Sequence, residues 1–273
     1  MPSNSSHMWP IRRRCCSTQS MPMLASFLKE LREPCSTSIT VPFRSSPAAT
    51  VPGLASPRAI RESGIPRDDI FVVTKLRQPH ANSHEETVQR CKQSLENLGL
   101  DYMDLYLVHA PPKDIGARAP VWQGMEECLS NGWTRSIGVS NYGAHHLDAM
   151  LSYASVMPSV NQVEINPWLQ RPALRAATEG IGAKVMAYSP LARGHKLDDS
   201  GISGIAASLG CTPAQAAIKW CFDAGAITIP KSSKPTRISE NLASLEVDLS
   251  GTEEEFAALE ESYVSGWDPT SEP

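Results

Sequence analysis

The sequence predicts an α/β chain whose C-terminal four-fifths builds most of a (β/α)8 barrel, incomplete, with about six recognisable βα units. Two observations carry this. Short apolar runs rich in Val and Ile recur after Arg58, each followed by a polar break and a stretch of helical periodicity, and an unusual polar residue closes every run. The runs are Ile70–Leu76, Met103–Ala110, Ser136–Asn141, Val160–Asn166, Lys184–Pro190 and Ala226–Ser232. They lack polar/apolar alternation, which suits parallel strands covered on both faces.

Between the first two runs, Val88, Cys91, Leu95 and Leu98 fall at steps of three and four. They follow a capping-box pattern in which Ser83 stands three places before Glu86, so a helix is expected there. Thr212-Pro213-Ala214-Gln215 is a second start signal, with a hydroxyl at the cap, proline in the first turn and glutamine at the third helical position. The helix it opens should run to about Asp223.

Strand-then-helix units with right-handed crossovers make either an open doubly wound sheet or part of a closed barrel. No strand leads into a G-x-G-x-x-G turn, which a Rossmann arrangement would want near its first βα unit. The terminal polar residues are Lys75, His109, Ser140 with Asn141, Glu164 with Asn166, Tyr188 with Ser189, and Lys231 with Ser232. In a barrel they would converge on the C-terminal rim, where such folds place their chemistry.

Residues 1–57 are different in texture and are expected to form an irregular N-terminal arm, with the barrel domain spanning 58–273. The arm holds eight prolines and eleven serines against two acidic residues, Glu30 and Glu33. Such a composition argues against a packed core. Met23 to Arg32 could make a short amphipathic helix. Ser38 to Arg44 and Ala49 to Leu54 are strand-like but interrupted by Pro42 and Pro52, which confine them to sheet edges. The Arg12-Arg13-Arg14 run slightly resembles a transit peptide, although no amphipathic arginine helix surrounds it.

A net charge of −4, with basic residues scattered, gives no footprint for nucleic acid or an anionic membrane surface. Small molecules are the expected partners. Seven cysteines without zinc spacing, no signal peptide and no membrane-length apolar run point to a reducing, cytoplasmic setting. The adjacent Cys15 and Cys16 read as two free thiols rather than a redox pair.

Lys75 closes the run Phe-Val-Val-Thr-Lys-Leu, and an ammonium at that depth must be paired or functional. Its ordinary structural reading is a lysine snorkelling out at a strand end. His109 follows Asp-Leu-Tyr-Leu-Val; a neutral imidazole there could donate to a carbonyl oxygen, or simply be a satisfied structural histidine.

Taken together, the motifs resemble the aldo-keto reductase family over roughly residues 58–273. The matching pieces are Ile70-Phe-Val-Val-Thr-Lys-Leu76, Leu100-Asp-Tyr-Met-Asp-Leu-Tyr-Leu-Val-His-Ala-Pro111, Gly138-Val-Ser-Asn-Tyr142, Asn161-Gln-Val-Glu-Ile-Asn-Pro167, Ala187-Tyr-Ser-Pro-Leu191 and Ile229-Pro-Lys-Ser232. The resemblance implies a barrel that binds NADP(H) in an extended pose and transfers hydride between nicotinamide and an aldehyde or ketone. It assigns Ser140, Asn141 and Gln162 to the carboxamide, Tyr188 to stacking on the ring, and Ser189 and Leu191 to the pyrophosphate. Lys231, Ser232 and Arg237 would surround the 2′-phosphate; two cations and a hydroxyl also make chemical sense as a dianion site. Glu240 and Asn241 would meet the adenine amino group, although Arg237 and Glu240 could equally be a surface ion pair at i, i+3 spacing.

The resemblance further implies general acid catalysis by a tyrosine, helped by a lysine that is paired with an aspartate, while a histidine orients the carbonyl. Lys75 and His109 match two of those four. The aspartate and tyrosine, expected well before Lys75, have no counterpart, because the first aspartate of the chain is Asp68 and the first tyrosine Tyr102. Tyr142 sits beyond the nicotinamide contacts. Turnover is therefore in doubt, and the alternative is a catalytically inactive NADP(H)-binding pseudoenzyme or regulatory subunit. A third reading makes residues 1–57 an altered or misassigned coding segment. Arg58 to Ser63 look like the end of the family's second helix, so a six-strand remnant would leave the Ile70 and Ala226 strands as unpaired edges. A monomer is expected unless such edges drive association, and Ala110, where the family often has a bulky aromatic, would widen the pocket for a small carbonyl or alcohol substrate.

Overall fold

The computed structural model describes residues 38–41, 49–52, 55–78 and 80–273. The proposed Met23–Arg32 helix, the Arg12–Arg14 run and Cys15 and Cys16 lie outside them.

The six apolar runs form six consecutive parallel strands: β3 (Val73–Leu76), β4 (Leu105–Val108), β5 (Ile137–Ser140), β6 (Val160–Glu164), β7 (Lys184–Tyr188) and β8 (Ile227–Thr228). Ahead of them, β1 (Ser38–Val41) and β2 (Ala49–Pro52) form an antiparallel hairpin. Every strand is shorter than its apolar run, for local reasons. The Ile70 run becomes a strand only at Val73 because the Val72 N–H is taken by the Asp104 carboxylate at 2.9 Å. β8 stops before Pro230, which has no N–H for a ladder.

Helices fill the crossovers: α1 (Ala55–Glu62), α2 (His84–Leu98), α3 (Ile115–Ser130), α4 (Ala144–Met150), α5 (Pro172–Gly180), α6 (Ser200–Leu209), α7 (Pro213–Asp223), α8 (Pro235–Ala243) and α9 (Glu253–Ala257). At α2 the Ser83 hydroxyl caps the Glu86 N–H at 3.1 Å, but Glu86 turns to His80 and Asn82 instead of returning the bond. At α7 the box is complete, with Thr212 Oγ1 accepting from Gln215 N at 3.2 Å and Gln215 Oε1 accepting from Thr212 N at 3.0 Å.

The sheet order is β2-β1-β3-β4-β5-β6-β7-β8. The β3 edge that a six-strand remnant would expose is met by β1, through one antiparallel register pair, Thr40 with Val73. A complete barrel of this kind would place a parallel strand there. Among the described residues β8 pairs only with β7, so the barrel is open on that side.

Both faces of the sheet are buried, yet residue parity separates them. Tyr106, Val108, Ile137, Val139, Val163, Val185 and their helix partners Cys91, Trp122, Met125 and Leu147 form the layer between sheet and helices. Val73, Leu105, Leu107, Val160, Met186 and Ile229 cluster on the other side, within the curve of the sheet. Lys75, His109, Gln162, Glu164 and Tyr188 share the parity of this inner set, so the strand geometry directs their side chains inward. A third cluster, with Trp168, Ile202, Ile205, Phe256 and Leu259, packs α6 and α9 beneath the C-terminal segment.

Gly138 also faces inward, and a Cβ there would lie 2.7 Å from Val160 O and 2.8 Å from Leu107 Cδ2. The backbone atom cannot yield without parting β5 from β6. Gly138→Ala is therefore expected to cost about 1–3 kcal/mol, read as a lowered urea midpoint at unchanged slope. An unchanged midpoint would show that the strands accommodate the methyl.

Candidate active site

Strand ends deliver the polar residues to one rim. Lys75 Nζ, on β3, donates to Gln162 Oε1, on β6, at 2.6 Å. These strands are three places apart in the sheet, which in a flat sheet would put them about 14 Å apart. A direct bond between them requires the sheet to curl, so this contact crosses the interior of the partial barrel.

Asn141, the residue after β5, ties the neighbouring strands together. Its backbone is left-handed, at φ 60, a conformation asparagine tolerates better than most residues. The turn sends its Nδ2 to His109 O at 2.9 Å, while its Oδ1 accepts from Tyr188 OH at 2.9 Å. Its backbone N–H and the Ser140 hydroxyl both donate to Gln162 O, at 2.9 and 2.8 Å. Gln162 Nε2 has only the weak acceptor Met186 Sδ, at 2.9 Å, so this donor can be surrendered to a better one. Glu164, buried nearby, accepts from Asn166 Nδ2 and Ser265 N on one oxygen and has no partner on the other.

Electrostatics follow from depth. Burial, reinforced by the Arg77 charge, pulls the Lys75 ammonium down from 10.5 to about 8. Burial and the neighbouring Lys75 and Arg77 charges pull His109 down to about 4, so its imidazole is neutral at pH 7. Burial, with Glu164 adding its charge, raises Tyr188, and burial raises Tyr142; both stay phenols. Tyr142 is buried against His146 rather than at the rim.

Among the described residues no carboxylate and no tyrosine hydroxyl touches Lys75. The rim can thus offer a neutral imidazole N–H and an amine, and no phenolic acid beside them.

The remaining positions divide. Ser189 continues directly from Tyr188 with φ 48, and the chain through Leu191 and Ala192 keeps a kinked course with Arg193 at φ 56. Lys231, Ser232 and Arg237 lie on the loop after β8 and the first turn of α8. Lys231 and Arg237 are exposed and have no ion-pair partner among the described residues, and Arg237 is not paired with Glu240. Glu240 instead accepts from Thr212 Oγ1 at 2.7 Å, and Asn241 is buried.

One rim residue was not legible in the sequence. Trp267 comes from the C-terminal segment and stands edge-on to His109, with ring centroids 6.2 Å apart, while remaining 49 % exposed. Arg171 pins that segment, donating to Asp268 Oδ2 and Thr270 Oγ1 at 2.7 Å each. An exposed tryptophan in a loop without periodicity was the available signal. No group of His, Cys, Asp and Glu suited to a metal occurs among the described residues, and no helix there is long and apolar enough to cross a membrane.

Comparison with known proteins converges on one family. The family model described as aldo/keto reductase family matches residues 56–264. An aldo-keto reductase from Mycobacterium sp. (strain MCS) is 39 % identical over 205 residues, 74 % of this chain and 70 % of the relative. Among solved structures, an aldo-keto reductase from a Medee basin deep-sea metagenome library is 33 % identical with a TM-score of 0.73, covering 77 % of this chain and 78 % of its own. A Bombyx mori aldo-keto reductase solved in complex with NADP is 30 % identical with a TM-score of 0.69, covering 79 % and 77 %. With its parallel strands, inward strand-end side chains and a family match across most of its length, the chain belongs to the aldo/keto reductase family of oxidoreductases.

Proposed function

We propose that this chain binds NADP(H) along the β5–β7 strand ends and the loop after β8, and that its reaction is hydride transfer to a small aldehyde or ketone. The observation that carries the proposal is the connected rim of Ser140, Asn141, Gln162 and Tyr188 beside Lys75 and His109. The donor set fits the group. Gln162 Nε2, held only by a thioether sulfur, and the Ser140–Asn141 pair suit a carboxamide, and Tyr188 offers a ring face. Ser189 and Leu191 would follow the pyrophosphate. Two unpaired exposed cations, Lys231 and Arg237, with the Ser232 hydroxyl suit a dianionic phosphate, and Glu240 with Asn241 would meet the adenine.

When bound, the nicotinamide supplies the hydride. His109, neutral, donates a hydrogen bond that orients and polarises the substrate carbonyl. Asn141 holds His109 in register through the His109 carbonyl. Lys75, at about 8, carries a proton that can be exchanged near neutrality.

Fluorescence titration with NADPH and NADH tests the assignment. Replacing both Lys231 and Arg237 with alanine is expected to weaken NADPH at least about tenfold and leave NADH within about twofold, since only the former carries the extra phosphate. Unchanged preference would defeat the phosphate assignment.

A second reading is favoured by one observation, that among the described residues no carboxylate or phenol stands against Lys75. On that reading the chain is a nucleotide-binding pseudoenzyme, or a regulatory subunit in which occupancy is the signal. NADPH binding with no Lys75-dependent turnover distinguishes it.

A further inference from the structure

We propose that Lys75 is a nucleophile whose ε-amine condenses reversibly with aldehydes at the rim, giving the chain a covalent carbonyl-binding site. It uses the same rim as the reductase reading but needs no nucleotide, so the two can fail separately.

The argument starts from what holds the amine. Among the described residues Lys75 Nζ has one partner, the neutral amide oxygen of Gln162 at 2.6 Å, and no carboxylate. An amide oxygen accepts one of three ammonium protons and supplies no counter-charge, so the protonated form is poorly compensated at that depth. The charged or titratable groups bearing on it are Arg77, two residues on, and His109, just past the end of β4. Arg77 adds a second positive charge, and His109 is uncharged at neutral pH, so neither restores the balance. With a value of about 8, roughly a quarter of Lys75 is free amine at pH 7.5. The residue as a whole is half-buried and stands at the strand end that opens on the rim. A desolvated lysine beside another cation is the arrangement that makes an amine nucleophilic near neutrality.

The step balances without a co-reactant. The Nζ lone pair forms a C–N bond to the carbonyl carbon as the C=O π pair moves to oxygen, giving a carbinolamine after proton exchange with solvent. The carbinolamine then loses its C–O bond, the oxygen leaving as water with both amine hydrogens accounted for, and an imine remains. His109, a neutral imidazole, faces this centre and can hydrogen-bond the departing oxygen, while solvent carries the protons. Nothing is oxidised or reduced, and hydrolysis reverses the step.

The test uses the full chain at pH 7.5 without nucleotide, treated with hexanal and sodium cyanoborohydride, followed by peptide mass spectrometry. Lys75 is expected to be alkylated at least about tenfold faster than the exposed Lys113, Lys184 and Lys231 of the same molecules. Labelling of Lys75 no faster than those three overturns the proposal. In Gln162→Glu a carboxylate faces Nζ; Lys75 labelling is expected to fall about tenfold while the exposed lysines keep their rates. An unchanged Lys75 rate in that variant overturns the role given to the missing counter-charge. The comparison among lysines of the unaltered chain stands whether or not the variant folds.

Discussion

Replacing residues 1–57 with the N-terminal segment of a family member that carries an aspartate and a Tyr-Gly pair there is expected to raise kcat for aldehyde reduction by about 10²–10⁴. NADPH affinity should change little, because the proposed nucleotide contacts all lie between Ser140 and Asn241. The reason is a proton. In the proposed reaction hydride delivery would leave an alkoxide that must be protonated, and among the described residues the rim holds no uncommitted phenol for it. His109 is a neutral imidazole whose remaining N–H is far too weak an acid to give up. Tyr188 is committed to Asn141 Oδ1 and is raised by burial, and Tyr142 is buried away from the rim. Among the described rim groups that leaves Lys75 to donate, and its ammonium is turned toward Gln162 at 2.6 Å. Residual turnover in the unaltered chain should therefore vanish in Lys75→Met. A graft that leaves kcat unchanged while NADPH still binds would mean that the acid is not what limits this chain.

The barrel segment of the fold was legible from local chemistry. Six Val- and Ile-rich runs became six parallel strands in sequence order because each is apolar on both faces. That same property hid which side of each strand looks inward, since a doubly buried strand carries no alternation. Parity became readable only when the inner cluster of Val73, Leu107, Val160 and Met186 identified the interior. The Thr212 box was written in full, whereas Ser83 predicted a helix start correctly and Glu86 found other partners. The strand-like pieces around Pro42 and Pro52 were visible, but only β2, which carries Pro52, is an edge; β1 ends before Pro42 and lies between β2 and β3. The antiparallel run of β1 against β3 depended on a register with Val73 that nothing local encodes.

The site divided along the same line. Polar strand ends announced a rim, yet the bond from Lys75 to Gln162 depends on curl, which is a property of the whole sheet. The left-handed Asn141 was foreshadowed by the Ser-Asn pair after a strand, but not its double grip on His109 and Tyr188. Trp267 arrives on a loop pinned by Arg171, a tertiary contact without a sequence period.

Lys75→Met is expected to make the protein more stable at pH 7, by as much as about 3 kcal/mol, with the gain fading as pH approaches 10.5. A lysine at about 8 in the folded chain and 10.5 in the unfolded one binds fewer protons when folded over the interval between those values. Stability therefore rises with pH across that window as far as this residue contributes, and below pH 8 the full cost of the charge is present. Methionine, of similar length and uncharged, removes the cost at every pH. The lost bond to Gln162 Oε1 returns about 1 kcal/mol of it, because that oxygen then looks for another partner. The difference between the two proteins is the useful quantity. Buried thiols and phenols such as Cys221 and Tyr142, both raised, destabilise the fold as pH climbs and are common to both. Urea melts at pH 7 and pH 10 should thus show a midpoint gap that is wide at the lower pH and narrow at the higher. A gap of the opposite sign at pH 7 would mean that the ammonium has found compensation in the folded chain, and the uncompensated amine on which the rim's chemistry was built would be lost with it.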